Sequence, residues 1–394
     1  MKKTSKKTKK PFAPLYYCAF LFIGTYYRLR WRVKTDRTAL KGLKGPAIVL
    51  APHISDKDHF LVGMELFPHR PTFVLSEHFM GYPLLRPVLK LMRVITKRMF
   101  CADAGTIMKI MRALKSGNVV VLFPEGRLTW YGHSLTVTGG TAELVKNAGT
   151  DVYTVTGNGA YLTFPKWRKK PRRGEISVTA DHLFTPEEIK TLSVGEIRER
   201  IDNAIFHDDE QAMEGTEYRC SDMTDGLDGI LYKCPECGIE FRLRTGGNRI
   251  VCENCGENWT LDGRYILHGK HFTRINEWCK WQISQLDPEY DRLECDVRVG
   301  AVNDKGNIDH YAGTGHAALC RDMFTFSGTV FGKEISFKKT PESIGGFPIT
   351  VASAFDIYHE NRLLYMHPLP DLRTAVKWVT LLDRIIEDKK KNEN

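Results

Sequence analysis

Residues 47–60 read AIVLAPHISDKDHF and residues 118–126 read NVVVLFPEG. Each contains an uninterrupted apolar run that then meets proline and polar residues, the mark of a strand buried on both faces. Such strands belong to parallel sheets covered by helices, and the sequence around them supplies both kinds of element. PTFVLSEHF (71–79), VYTVTGNGAYL (152–162) and EISVTADHLF (175–184) read as further strands. YPLLRPVLKLMRVI (82–95) and AGTIMKIMRALKSG (104–117) have helical spacing, and the second closes on Gly117 as a C-cap. GGTAELVKNAG (139–149) predicts another helix. TPEEIKTLSVGEIRERIDNAIF (185–206) predicts one charged helix, opened by a capping box at Thr185 and Glu188. The alternation predicts an α/β domain with a largely parallel sheet over residues 35–210.

His53 stands at the end of the first of these strands, with Asp58 five residues on. With 13 histidines and 23 aspartates in 394 residues, chance alone supplies about 0.8 such pairs, so the spacing counts only in context. The context is the strand end, where α/β sheets place their ligand crevices. A carboxylate folded back onto the imidazole fixes its tautomer and stabilises the imidazolium formed when histidine takes a proton from an alcohol. The bland alternative is a surface histidine beside an N-capping aspartate. The second strand ends in Phe123, Pro124, Glu125, Gly126 and Arg127. Glycine there permits close backbone approach to a ligand, and Arg127 offers a planar fork for a phosphate. Between the blocks lie Lys97 and Arg98, which read equally well as a phosphate contact and as a solvated pair of bases.

The composition, 42% hydrophobic and 26% charged, is that of globular rather than disordered protein, and 394 residues suggest two or three domains. A net charge of +10 points to anionic partners: nucleic acid, anionic lipid or phosphorylated substrates. Six lysines within the first ten residues precede PFAPLYYCAFLFIGTYY (11–27), which carries no charge, and RLRWRVK follows. The stretch falls short of the roughly 20 apolar residues of a spanning helix. Aromatic ends and flanking cations instead suit a segment, residues 1–34, lodged in the membrane interface; an ordinary buried helix is the alternative.

Four of the ten cysteines form two C-x-x-C pairs, Cys234/Cys237 and Cys252/Cys255, with fourteen residues between them. Two such knuckles on a short hairpin give four thiolates at the corners of a tetrahedron, a closed zinc site that is structural rather than catalytic. The alternative is a pair of redox dithiols. Residues 225–270 thus read as a zinc ribbon. From 285 to 394 the chain is β-rich and ends in a helix, an α+β module whose element order resembles a pleckstrin-homology domain.

In order, the blocks resemble the 1-acylglycerol-3-phosphate acyltransferase (lysophosphatidic acid acyltransferase) family. They are His53–Asp58, Arg98, Phe123–Gly126, TGGTA (138–142) and VYTVTG (152–157), and the resemblance covers roughly residues 15–205. It implies an acyltransferase fold and an enzyme without organic cofactor. His53 would be the general base and Asp58 its orienting partner, while Arg98, Glu125, Gly126 and Arg127 would hold the substrate phosphate. It also implies an acyl-CoA or acyl-carrier-protein thioester as donor and a lysophospholipid as acceptor, most simply 1-acylglycerol-3-phosphate. Membrane association on the cytoplasmic face would follow.

The family commonly has E-G-T-R where this chain has E-G-R-L-T, so another acceptor such as lysophosphatidylethanolamine stays open. Pro52 replaces the usual asparagine, Val137 a common lysine and Thr154 a common proline. Two other classes stay open, a lipid-binding adaptor of the same fold that has lost catalysis and a zinc-ribbon protein that binds nucleic acid. Against nucleic-acid binding, the bases cluster around the apolar N-terminal segment rather than along the ribbon, so no nucleic acid is expected.

Overall fold

The structure is a computed structural model that describes residues 7–101 and 103–393; Lys2, Lys3 and Lys6 of the basic N-terminal run lie outside them. The chain forms two compact units. Met1–Phe79, Leu84–Lys166 and Lys170–Arg219 make the first, and Met80–Pro83, Trp167–Lys169 and Cys220–Asn394 the second.

The first unit is built on a seven-stranded sheet. Its strands are β1 (Val33–Asp36), β2 (Ala47–Leu50), β3 (Thr72–Ser76), β4 (Ile95–Lys97), β5 (Val119–Leu122), β6 (Asp151–Asn158) and β7 (Ile176–Phe184). They lie in the order β1-β7-β6-β2-β5-β3-β4. Every pairing is parallel except β6 with β7, which is antiparallel. The two apolar runs that open the sequence reading are neighbours, with Ala47 to Leu50 level with Val119 to Leu122. All eight of these residues are buried, as strands covered on both faces must be.

The helices of this unit are α1 (Ala13–Trp31), α2 (Asp58–Glu65), α3 (Leu85–Leu91), α4 (Ala104–Lys115), α5 (Thr141–Ala148), α6 (Ala160–Thr163), α7 (Pro186–Thr191), α8 (Val194–Ile205) and α9 (Asp209–Ala212). Ile110, Ala113 and Leu114 of α4, Leu144 and Val145 of α5, and Ile197, Ile201 and Ile205 of α8 close one core with Ile48, Leu50, Val120 and Leu122. Truncating one such leucine or isoleucine to alanine costs about 2–5 kcal/mol.

Two elements differ from the sequence reading. The run 82–95 holds only α3; the chain reverses at Arg93, whose φ is +54°, and Ile95–Lys97 pairs with β3 as the edge strand β4. The charged stretch 185–206 is two helices. Thr185 and Glu188 form the expected capping box, but Ser193 and Glu196 form a second one that starts α8 afresh.

The apolar N-terminal segment is α1, and its prolines sit at the start of the helix, where the missing amide is harmless. Tyr16, Phe20, Gly24, Tyr27 and Trp31 recur every three or four residues and are buried. Gly63 of α2 is what lets Phe20 approach, since a Cβ there would overlap the Phe20 ring. The opposite face is also apolar yet exposed, with Phe22 and Leu29 each 81% and Leu21 57% accessible. No helix of the described residues is long and apolar enough to cross a membrane.

The second unit contains four short strands, β8 (Leu243–Gly246), β9 (Arg249–Cys252), β10 (Asn258–Leu261) and β11 (Leu267–His268), and helix α10 (Ile275–Ser284). It continues with β12 (Leu293–Val302), β13 (Ile308–Leu319), β14 (Phe324–Val330), β15 (Lys333–Lys339), α11 (Pro341–Ile344), β16 (Ile349–Thr350), β17 (Ala354–His359), β18 (Arg362–Pro368) and α12 (Ala375–Glu393). The last seven strands form one antiparallel sheet ordered β15-β14-β13-β12-β18-β17-β16. Trp378 of α12 stacks on Phe355 of that sheet at 4.9 Å. The four-stranded piece is tied to the rest by side chains: Gln282 bonds Tyr232 N and Ile230 O, and Lys377 pairs with Glu240 at 2.6 Å.

Candidate active site and metal centre

Because β2, β4 and β5 run the same way, their C-terminal ends deliver His53, Lys97 with Arg98, and the FPEG block to one edge of the sheet. Strand β2 stops at Leu50, and three residues of extended chain carry His53 beyond it. Asp58 opens α2, and its Oδ2 lies 2.9 Å from His53 Nδ1. The same oxygen accepts from Ser55 N at 2.9 Å. An oxygen that accepts from a backbone amide needs a donor on the imidazole side as well, which assigns the proton to Nδ1 and leaves Nε2 with its lone pair.

Asp58 is 4% exposed, whereas the His53 side chain keeps 25% of its surface open. Burial pushes the imidazole down to about 3, with Lys166 adding to the effect, and pushes the Asp58 carboxyl up against the pull of the Ser55 and Ile54 amides. The ring is therefore neutral at physiological pH, as a proton acceptor must be, and it keeps an open edge. The Phe123 ring stacks on His53 at 4.5 Å and holds its plane.

The FPEG residues divide between inside and outside. Glu125 is 2% exposed. Its Oε1 accepts from His53 N and its Oε2 from Leu135 N, each at 2.7 Å. Burial pushes this carboxyl up to about 8, against those two hydrogen bonds. The sequence reading aims Glu125 at a substrate phosphate; the side chain instead points into the protein and spans two loops. Gly126 has φ +82°, and a Cβ there would sit 2.8 Å from Thr138 Cγ2, so the chain passes where only glycine fits. Arg127 is turned inward, 5% exposed, with its guanidinium 5.2 Å from the Trp130 ring centroid and 5.8 Å from that of Phe100. Arg98 is half-buried at the end of β4.

A second histidine–aspartate pair, missed in the sequence, lies behind the first. His207 Nε2 is 2.9 Å from Asp209 Oδ1 and both are buried. Asp209 also accepts from Gly159 N and Leu162 N, while the His207 carbonyl accepts from Ser134 N and Oγ. Burial works against charge on His207, but Asp209 outweighs it and raises the imidazole's affinity for a proton. Nothing in the run HDDE marks these residues as inward-facing; the only cue is their place just after a predicted amphipathic helix.

The four paired cysteines come together in the second unit, their sulfur atoms all within 4.8 Å of one another. Both knuckles have one geometry. Gly238 N bonds Cys234 O and Gly256 N bonds Cys252 O, each at 2.9 Å, with φ of +72° and +77° at the two glycines. Cys234 lies 3.8 Å from Cys255, and Cys237 3.8 Å from Cys252. A tetrahedron with metal–sulfur bonds of about 2.3 Å has edges of about 3.8 Å, so the thiols fit a metal ion such as zinc.

Residues 30–157, which hold the His53–Asp58 pair and the FPEG block, match the acyltransferase family model. Among solved structures, the chain is similar to the crystal structure of the 1-acyl-sn-glycerophosphate (LPA) acyltransferase, PlsC, from Thermotoga maritima. The two are 18% identical over 51% of this chain and 76% of that chain, with a TM-score of 0.41. Over residues 30–157, about a third of its length, the chain is thus similar to the acyltransferase family, and the ordered blocks lie within that stretch.

Proposed function

We propose that the protein transfers a fatty acyl group from a CoA or carrier-protein thioester to the free hydroxyl of a lysophospholipid, with 1-acylglycerol-3-phosphate the first candidate acceptor. The observation that carries this reading is the His53–Asp58 pair, with Nδ1 held at 2.9 Å and a neutral ring that keeps an open edge. His53 Nε2 takes the acceptor's hydroxyl proton as the oxygen attacks the thioester carbonyl. The C–S bond then breaks, and the thiolate leaves with the proton returned by the imidazolium. Asp58 fixes the tautomer and stabilises the transient imidazolium. No acyl-enzyme is required.

Glu125 serves the base rather than the acceptor, by holding the His53 main chain. Arg98 and the glycine-permitted approach at Gly126 take the acceptor phosphate, and Arg127 adds positive charge from below. The exposed apolar face of α1 rests in the membrane interface, which brings the site to its lipid substrates on the cytoplasmic side. The four cysteines hold a structural zinc ion that closes the ribbon, and the C-terminal antiparallel sheet with its terminal helix is a pleckstrin-homology-like module. The deciding experiment is an acyl-transfer screen of the purified protein across lysophospholipid head groups with acyl-CoA and acyl-carrier protein. Turnover with lysophosphatidic acid supports the reading, turnover with another head group alone reassigns the acceptor, and none with any pair refutes it.

A further inference from the structure

The parallel strands that carry the active site at one end leave their N-terminal ends at the opposite edge of the sheet. There, a cavity of about 190 Å³ is bordered by Lys44, before β2, and Val119, at the start of β5. Lys10, His69 and Arg70 complete its basic lining, and no carboxylate lines it. Lys10, Lys44 and Arg70 have no ion-pair partner among the described residues. Arg70 is held in place, since its Nη1 donates to Pro11 O at 2.8 Å and its guanidinium lies 5.9 Å from the Tyr17 ring centroid. Burial, and then the Lys10 ammonium, push the His69 imidazole below its ordinary value.

Unneutralised bases around a recess focus positive potential and raise the local concentration of anions. At about 30 Å³ per water molecule, the space takes a phosphate group together with some of its water. Tyr17, on the cavity wall, belongs to α1, whose exposed Leu21, Phe22 and Leu29 continue along the same helix. An anion with hydrocarbon chains fits both features at once. We propose that this cavity is a second, non-catalytic site for a phosphate group, presented by the head group of an anionic phospholipid whose chains lie along α1. The proposal is independent of the acyl-transfer reading, because its test uses no turnover.

The test uses the full chain and two double variants of equal charge, Lys10→Ala/Lys44→Ala and Lys7→Ala/Lys9→Ala. Both pairs are exposed, so both proteins should fold, and thermal melting checks it. Binding is measured by co-sedimentation with phosphatidylcholine vesicles, with and without phosphatidylglycerol, and the His69 ring is followed by NMR during titration with inorganic phosphate. Removing Lys10 and Lys44 should weaken binding to the anionic vesicles by about 5-fold per lysine. The control pair should lose clearly less, and binding to pure phosphatidylcholine should not change. Phosphate should raise the His69 pKa in the wild type but not in Lys10→Ala/Lys44→Ala. Equal losses in both variants would mean diffuse attraction and overturn the site, as would a His69 signal indifferent to phosphate. A phosphate response without vesicle discrimination would overturn the lipid source.

Discussion

Replacing Glu125 with glutamine is the sharpest probe of how the His53 loop is held. The two carboxyl oxygens, which accept whether or not the group is ionised, take the backbone amides of His53 and Leu135 at 2.7 Å each. A glutamine of the same shape has one carbonyl oxygen and one NH2 group, so it accepts from one amide and confronts the other with a donor. Leaving one buried backbone N–H unsatisfied costs about 1–3 kcal/mol. At 1.36 kcal/mol per factor of ten, that is about 5- to 150-fold if it falls wholly on the transition state. Part will fall on stability, so Glu125→Gln should lower kcat on the order of 10-fold while the acceptor KM holds within about twofold. Steady-state kinetics with acceptor and donor varied separately make the measurement. An unchanged kcat with a strongly raised acceptor KM would mean that Glu125 touches the acceptor, and the positioning argument would fall.

The same carboxyl predicts a pH dependence of stability. Its folded value of about 8 lies above the ordinary glutamate value of about 4.3, so its contribution is full below that value and is lost as pH rises through 8. Thermal melts across that window should fall with pH in the wild type and flatten in Glu125→Gln. Gly63→Ala forces a methyl group into the Phe20 ring, and such overpacking should lower stability by about 1–3 kcal/mol, read by denaturant unfolding. Phe22→Ser with Leu29→Ser should leave the melting temperature unchanged yet weaken vesicle binding at least 10-fold, since each side chain is worth about 1.5–3 kcal/mol when buried. Freshly purified protein should carry one zinc ion per chain by elemental analysis. Chelation should shift the fluorescence of Trp259 and Trp278, which pack 4.7 Å apart, and protein without metal would refute the site.

Features that depend on local chemistry are readable in the sequence. Apolar runs such as AIVL and VVVL mark buried strands because nothing polar interrupts them. The capping box at Thr185 and Glu188 marks a helix start within four residues, and the cysteine knuckles carry their own spacing. Features set by packing between distant segments are not readable. The inward turn of Glu125 depends on the Leu135 amide arriving from a later loop. The His207–Asp209 pair depends on Gly159 and Leu162, some fifty residues earlier in the chain. Strand β4 is three residues long, too short for a pattern to show, and its first residue, Ile95, continues the helical spacing before it. In α1 the sequence shows apolar residues on all sides, and only the structure shows which of them face the protein.

His53 is the residue on which acyl transfer should depend most. Acyl transfer from a radiolabelled thioester to lysophosphatidic acid should be measured with the wild type and with His53→Ala, alongside their melting temperatures. A lost general base is worth about 10²- to 10⁴-fold, so His53→Ala should lose that much turnover while still folding. Wild-type turnover in folded His53→Ala would contradict that role.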